Sequence, residues 1–175
     1  PTSGRVMLYD DDHFYMGSVL AELLTARGCR VDYVTPASIV AEWTVNTLEQ
    51  ATIQRRLLDI GVNILTNKAP ESIAATQTTL GCTWTGRETT LPCDAVLMVT
   101  SRVPDDALFH AVMARQPEWQ SAGIASVKLI GDAAAPGPIA WATYAGRRYA
   151  EELDQPDPGD ALSFQREITE LAPQP

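Results

Sequence analysis

The first 35 or so residues constrain this chain more than any other stretch. Arg5-Val6-Met7-Leu8-Tyr9-Asp10 is a short apolar run ending at acids, the pattern of a parallel strand buried on both faces. Met16, Val19, Leu20, Leu23 and Leu24 then recur at helical spacing, and Arg27-Gly28 supplies a terminal cation and a glycine cap. Arg30-Val31-Asp32-Tyr33-Val34-Thr35 alternates as a second strand, which Pro36 ends. A strand–helix–strand unit this short fixes its own topology: the two strands run parallel and the crossover is right-handed.

The turn inside that unit is where dinucleotides usually bind. Such binding needs glycines: one for the tight bend, one to let a pyrophosphate approach the backbone, and one for close packing of helix on strand. Here the turn reads Tyr9-Asp10-Asp11-Asp12-His13-Phe14-Tyr15-Met16-Gly17, and only Gly17 stands near the third glycine position. Two like charges ~4 Å apart repel by roughly 1 kcal/mol in water and by several-fold more when partly desolvated. Three carboxylates facing a pyrophosphate therefore cancel what amides and a helix dipole offer. The second strand ends in Thr35-Pro36, with neither the acid of an NAD site nor the arginine of an NADP site. The expectation is a strand–turn–helix without pyridine-nucleotide function. Asp10–Asp12 are read as a solvated turn with one aspartate capping the helix. Adjacent side chains in such a turn point apart and no calcium-loop spacing follows, so no metal site is assigned. His13 is read as a surface residue.

Further along, Asn46-Thr47-Leu48-Glu49 is expected to cap a helix with Ile53, Leu57, Leu58 and Ile60 on its apolar face, closing at Gly61. Val62–Thr66 is a third strand. Glu71–Thr79, Cys82–Thr85 and Glu88–Leu91 alternate, are Thr-rich, and are broken by Gly81 and Gly86, which predicts a three-stranded antiparallel meander. Asp94–Thr100 is the strongest buried strand. Asp105–Arg115 is a helix with Leu108 and Val112 inward and Phe109 a further candidate for that face, Ser126–Ile130 a strand, and Pro138–Leu153 a helix with proline in its first turn. The four tryptophans are expected in the core or at domain interfaces.

The resulting fold class is α/β: a three-layer Rossmann-like nucleotide-binding domain with a mixed sheet and a small antiparallel β-meander. Residues 1–125 form that domain, 126–154 add a strand and a helix, and 155–175 form an acidic Pro-rich tail.

Composition narrows the function. Thirteen basic residues against 22 acidic ones give a net charge of −9, which argues against nucleic-acid binding and against docking on anionic lipid. Seven acids and one base lie between Glu151 and the C-terminus, so much of the imbalance is local. No apolar run reaches the ~18 residues of a membrane span. Cys29, Cys82 and Cys93 match no disulfide framework, zinc site or iron–sulfur spacing; they are read as small, inert residues in a reducing cytoplasm. The chain does not open on methionine, which sets the expectation of an excised piece.

Three motifs in order carry a family resemblance. Tyr9–Gly17 followed by Leu20-Ala21-Glu22-Leu23-Leu24 resembles the equivalent turn of the trimethylamine/dimethylamine/histamine dehydrogenase group, flavoproteins related to the dienoyl-CoA reductases. Val96-Leu97-Met98-Val99-Thr100-Ser101-Arg102-Val103-Pro104 resembles the Thr-Gly-Arg-x-Pro signature of pyridine-nucleotide disulfide oxidoreductases, with Ser101 replacing the glycine. Leu129-Ile130-Gly131-Asp132-Ala133 resembles the final Gly-Asp signature of their FAD-type domain.

The resemblance implies a glutathione-reductase-like domain from the C-terminal part of a longer parent, with 126–154 the returning strand–helix of an FAD/ADP-binding-type domain. The parent would carry FMN and an iron–sulfur cluster in an N-terminal barrel, bind ADP or FAD, form a homodimer, and pass electrons to an electron-transferring flavoprotein. The barrel and the first nucleotide domain are the missing partners, and these 175 residues alone would have no catalytic residue and no complete cofactor site. The resemblance assigns Gly131 and Asp132 to the sugar-phosphate of the nucleotide, with Pro138, Ile139 and Ala140 at the helix start as further cofactor-binding candidates. The residues alone allow Gly131-Asp132 to be merely a turn with an N-cap. Two alternatives stand beside this reading: an NAD(P)H-dependent reductase domain of the dienoyl-CoA reductase type, and an assembly or docking module.

Overall fold

A computed structural model describes residues 3–153. The acidic tail at 155–175 lies outside them. The chain divides into two compact units, Pro1–Ser101 and Arg102–Pro175.

In the first unit, β1 (Gly4–Asp10), α1 (Tyr15–Ala26) and β2 (Cys29–Val34) form the expected strand–helix–strand. A 3-10 turn at Glu42–Val45 and α2 (Gln50–Asp59) lead to β3 (Asn63–Leu65). The meander β4 (Lys68–Ile73), β5 (Gln77–Cys82) and β6 (Glu88–Pro92) follows, then β7 (Ala95–Val99). β3, β2, β1 and β7 pair in that order, all in parallel, and the meander forms its own antiparallel sheet. The expected mixed sheet is thus two sheets. The order 3-2-1 followed by the next parallel strand is that of a Rossmann-like half.

Side-chain alternation on β1 builds the layers. Val6 and Leu8 join Val31 and Tyr33 against Ala21 and Leu24 of α1 and Leu57 of α2. Met7 and Tyr9, with Val34, pack against Leu80 and Leu91 of the meander and Cys93. The three layers are helices, parallel sheet and antiparallel sheet, so β1 is apolar on both faces.

Several local expectations are corrected. The inward face of α1 is Gly17, Ser18, Ala21 and Leu24, whereas Met16, Val19 and Leu23 are exposed. Small residues turn inward because the helix lies close to the sheet. On α2, Leu57 is buried but Leu58 is exposed, and no side chain caps the helix. The middle meander strand is Gln77–Cys82, not Cys82–Thr85: Gly81 lies inside it, where a Cβ would meet Glu71 Oε1 at 2.4 Å, and 83–87 is the turn, closed by the Gly86 amide on the Cys82 carbonyl. Trp43, Trp84 and Trp141 are not core residues but largely exposed.

The second unit contains α3 (Ala107–Met113) and α4 (Ile139–Glu152). Leu108, expected inward, is 78% exposed, and no residue in 102–153 is buried. The strand expected at Ser126–Ile130 does not form. An apolar run becomes a strand only where neighbours satisfy its amides and carbonyls, and no described strand pairs with it. Among the described residues, no helix is long and apolar enough to cross a membrane.

Candidate functional site

Strand parity decides the turn after β1. Asp10 shares the face of Val6 and Leu8, so its side chain points toward α1, and it is fully buried. Its Oδ1 accepts the backbone N–H groups of Asp12 and His13, both at 3.3 Å. Its Oδ2 accepts the hydroxyl of Tyr33, which comes from the same face of β2. Burial pushes the Asp10 carboxyl above the ordinary carboxylate range, against the opposing pull of the Tyr33 hydroxyl and the two amides. Burial, and then the charge of Asp10, push the Tyr33 phenol up as well. The three aspartates therefore do not act as one solvated run. Asp10 is an internal ligand of the turn, Asp11 is exposed and Asp12 half-buried.

The turn is held from outside too. The Asp11 N–H donates to the Val99 carbonyl at 2.8 Å, and the Trp43 N–H donates to the His13 carbonyl at 3.1 Å. Phe14 stacks on Trp43 with ring centroids 5.9 Å apart. His13 is not on the open surface: its side chain is 19% exposed, Nε2 lies 3.3 Å from Asp11 Oδ1, and its backbone takes a positive φ of 62°. No aspartate caps α1, whose N-cap is Phe14.

Gly17 does what the third glycine of a nucleotide turn does, for a different reason. A Cβ there would lie 2.7 Å from both Asp10 Cγ and the Tyr33 hydroxyl oxygen. The helix closes over a carboxylate–phenol pair, and only a bare Cα fits. Sequence reading missed Tyr33, although its parity with Leu8 and Asp10 was a usable signal.

Gly131, Asp132, Pro138, Ile139 and Ala140 share one corner of the second unit. Gly131–Ala133 is a 3-10 turn, with Gly131 at φ +60°. Asp132 Oδ1 accepts the Gly137 N–H at 3.3 Å, just before the start of α4 at Pro138. In the first turn of this 14-residue helix the Trp141 N–H donates to the Pro138 carbonyl at 2.9 Å, which leaves the amides of Ile139 and Ala140 as the ones without an intrahelical acceptor. Behind the corner lies a groove of about 340 Å³ that includes Ile130, Gly131, Trp141 and Tyr149. Arg147 and Arg148 pair with Glu151 and Glu152 at 2.9 and 2.7 Å along α4.

The cysteines do not converge. Cys29 lies in the helix-side core and Cys93 in the meander-side core. Cys82, at the end of β5, is partly exposed and departs from the inert reading. The Thr85 hydroxyl and the amides of Trp84 and Thr85 stabilise its thiolate and bring its pKa down to about 7. Alkylation of Cys82 is expected to reach half its limiting rate near pH 7, with Thr85→Ala moving the midpoint toward the ordinary value of 9.0. Cys29 and Cys93 stay unmodified in the native chain. Peptide mass spectrometry across pH reads all three, and a wild-type midpoint near 9.0 contradicts the assignment.

No family model matches the chain. It is 32% identical over 181 residues to the dimethylamine dehydrogenase of Hyphomicrobium sp. (strain x), spanning 93% of this chain and 24% of the relative. The histamine dehydrogenase structure from Rhizobium sp. 4-9 matches with a TM-score of 0.88 and 53% identity over 99% of this chain and 27% of that one. The structure of 6-hydroxypseudooxynicotine amine oxidase from Pseudomonas geniculata N1 gives a TM-score of 0.76 at 38% identity, over 85% of this chain and 22% of that one. The chain thus spans about a quarter of the length of these relatives. It is a homologue of that one region of the dimethylamine and histamine dehydrogenase group.

Proposed function

We propose that the chain is the C-terminal, non-catalytic nucleotide-domain portion of a cytoplasmic flavin-dependent amine dehydrogenase. The observation that carries this reading is the match along 99% of the chain to part of a histamine dehydrogenase at 53% identity. The turn geometry supports it: the amides of Asp12 and His13 are already satisfied by Asp10, so the strand–turn–helix does not present them to a nicotinamide dinucleotide. Residues 1–125 are the degenerate nucleotide domain, 126–154 the segment that returns to the parent's preceding domain, where its run at 126–130 would find the strand neighbours it lacks among the described residues, and 155–175 an acidic tail.

The corner of Gly131, Asp132, Pro138, Ile139 and Ala140 fits the sugar-phosphate of ADP or FAD in part. It offers a carboxylate, the amides of Ile139 and Ala140 at the start of α4, and no crowding at Gly131, where a Cβ would find only Ala142 at 3.7 Å. Cys29, Cys82 and Cys93 do not fit an iron–sulfur cluster, because they lie apart in the first unit. FMN and the cluster belong to the rest of the parent, together with its amine site. The parent is homodimeric and passes electrons to an electron-transferring flavoprotein. An assembly role is compatible with this: Met16, Val19 and Leu23 form an exposed apolar stripe on α1.

The full-length parent is expected to oxidise a small amine with an electron-transferring flavoprotein or a dye as acceptor, and to leave NAD⁺ and NADP⁺ unreduced. NADPH-dependent reduction of an enoyl thioester would favour the reductase alternative instead.

A further inference from the structure

We propose that Asp10 is a built-in anion that occupies the seat a phosphate would take, and that Tyr33 and Gly17 lock it there. The inference rests on the proposed absence of dinucleotide binding and names the group that enforces it. A phosphate at a strand–turn–helix is held by backbone N–H groups that converge on it. In this turn the converging amides are those of Asp12 and His13, and both already donate to one oxygen of Asp10. The other oxygen accepts the Tyr33 hydroxyl, so both carboxylate oxygens are engaged inside the protein.

The arrangement is sealed from water, since Asp10 and Tyr33 are both fully buried. It is also sealed sterically. Gly17 brings α1 to within 2.7 Å of Asp10 Cγ, measured from where a Cβ would stand, so no volume for a diphosphate remains between helix and strand. Exclusion by this latch differs from exclusion by surface charge. Asp11 is exposed and Asp12 half-buried, so their charges act on an incoming phosphate largely through solvent, an effect that salt weakens. Asp10 competes directly for the donors, and salt leaves it in place.

The test follows the backbone amide resonances of Asp12 and His13 in the full chain during titration with inorganic pyrophosphate, at low and high salt. The wild type is expected to show no saturable shift at either amide. Asp10→Ala opens the seat, and pyrophosphate then shifts both amides with affinity at least about tenfold above wild type. Asp11→Asn combined with Asp12→Asn, with Asp10 intact, stays like wild type. The proposal is overturned if Asp10→Ala gains nothing, or if the Asp11/Asp12 variant gains binding equally. Should Asp10→Ala not fold, Tyr33→Phe provides the second reading: it frees one carboxylate oxygen, and faster hydrogen exchange at the Asp12 and His13 amides is expected. Unchanged exchange there overturns the latch. Saturable NADPH binding at these amides in the wild type would remove the functional reading itself, whereas a silent wild type with a silent Asp10→Ala removes the latch alone.

Discussion

Replacing Arg5 with methionine lowers the unfolding free energy by about 3–5 kcal/mol, because a buried carboxylate loses its cation. Arg5 stands at the start of β1, with Nε 2.6 Å and Nη2 3.2 Å from the two oxygens of Asp32 on β2. Asp32 is 3% exposed, and its Oδ1 also accepts the Asn63 side-chain amide at 2.6 Å. The pair links the start of β1 to the middle of β2, and through Asn63 to the start of β3. Methionine keeps the aliphatic bulk, so the loss isolates the charge. Adding Asp32→Asn to Arg5→Met is expected to recover much of the stability, since a neutral amide is cheaper to bury unpaired. Arg56 and Glu22 make a comparison: their 2.8 Å bridge leaves the Arg56 side chain 66% and the Glu22 side chain 30% exposed, neither charge is fully buried, and Arg56→Ala is expected to cost less than about 1 kcal/mol. Equal effects at Arg5 and Arg56 contradict this account.

Gly17→Ala is the second large effect, with an expected loss of about 3 kcal/mol. On an open helix surface the same change would gain about 1 kcal/mol from propensity. Here the new methyl lies 2.7 Å from Asp10 Cγ and from the Tyr33 hydroxyl oxygen, and 3.0 Å from Asp10 Cβ. These are not the loose ends of flexible side chains. Asp10 is fixed by two amides and Tyr33 fills the core, so either α1 moves off the sheet or the carboxylate–phenol bond breaks. Tyr33→Phe removes one of the clashing atoms, so the two substitutions together are expected to cost clearly less than their sum. Strict additivity in a double-mutant cycle would show that the methyl is accommodated elsewhere.

The frame of the first unit was legible because two periodicities were clean. The apolar run of β1 and the alternation of β2 place a helix between parallel strands without further information. The helix face was less legible, because the pattern Met16, Val19, Leu20, Leu23, Leu24 ranks residues by hydrophobicity, whereas a close helix–sheet approach ranks them by size. Gly17, Ser18 and Ala21 won the interior for that reason. That adjacent side chains of Asp10–Asp12 point apart was legible; which aspartate turns inward was not, because reading the three as a solvated turn ignored the parity of β1. Parity sends Asp10 inward to Tyr33; Asp11 stays exposed as expected, whereas Asp12 is half-buried. The meander boundaries slipped because Gly81 looks like a turn residue, whereas its place in β5 is set by Glu71 packing across it. In 126–130, apolar β-branched composition suggested a strand, but composition cannot provide the hydrogen-bonding neighbour that a strand requires.

Isothermal titration of the full chain with NADPH and with NADH tests the central claim most directly, because a strand–turn–helix whose anion seat is filled from within has no place for either. The account predicts no saturable heat with either cofactor at any salt concentration. Micromolar binding that shifts residues 10–14 would contradict it.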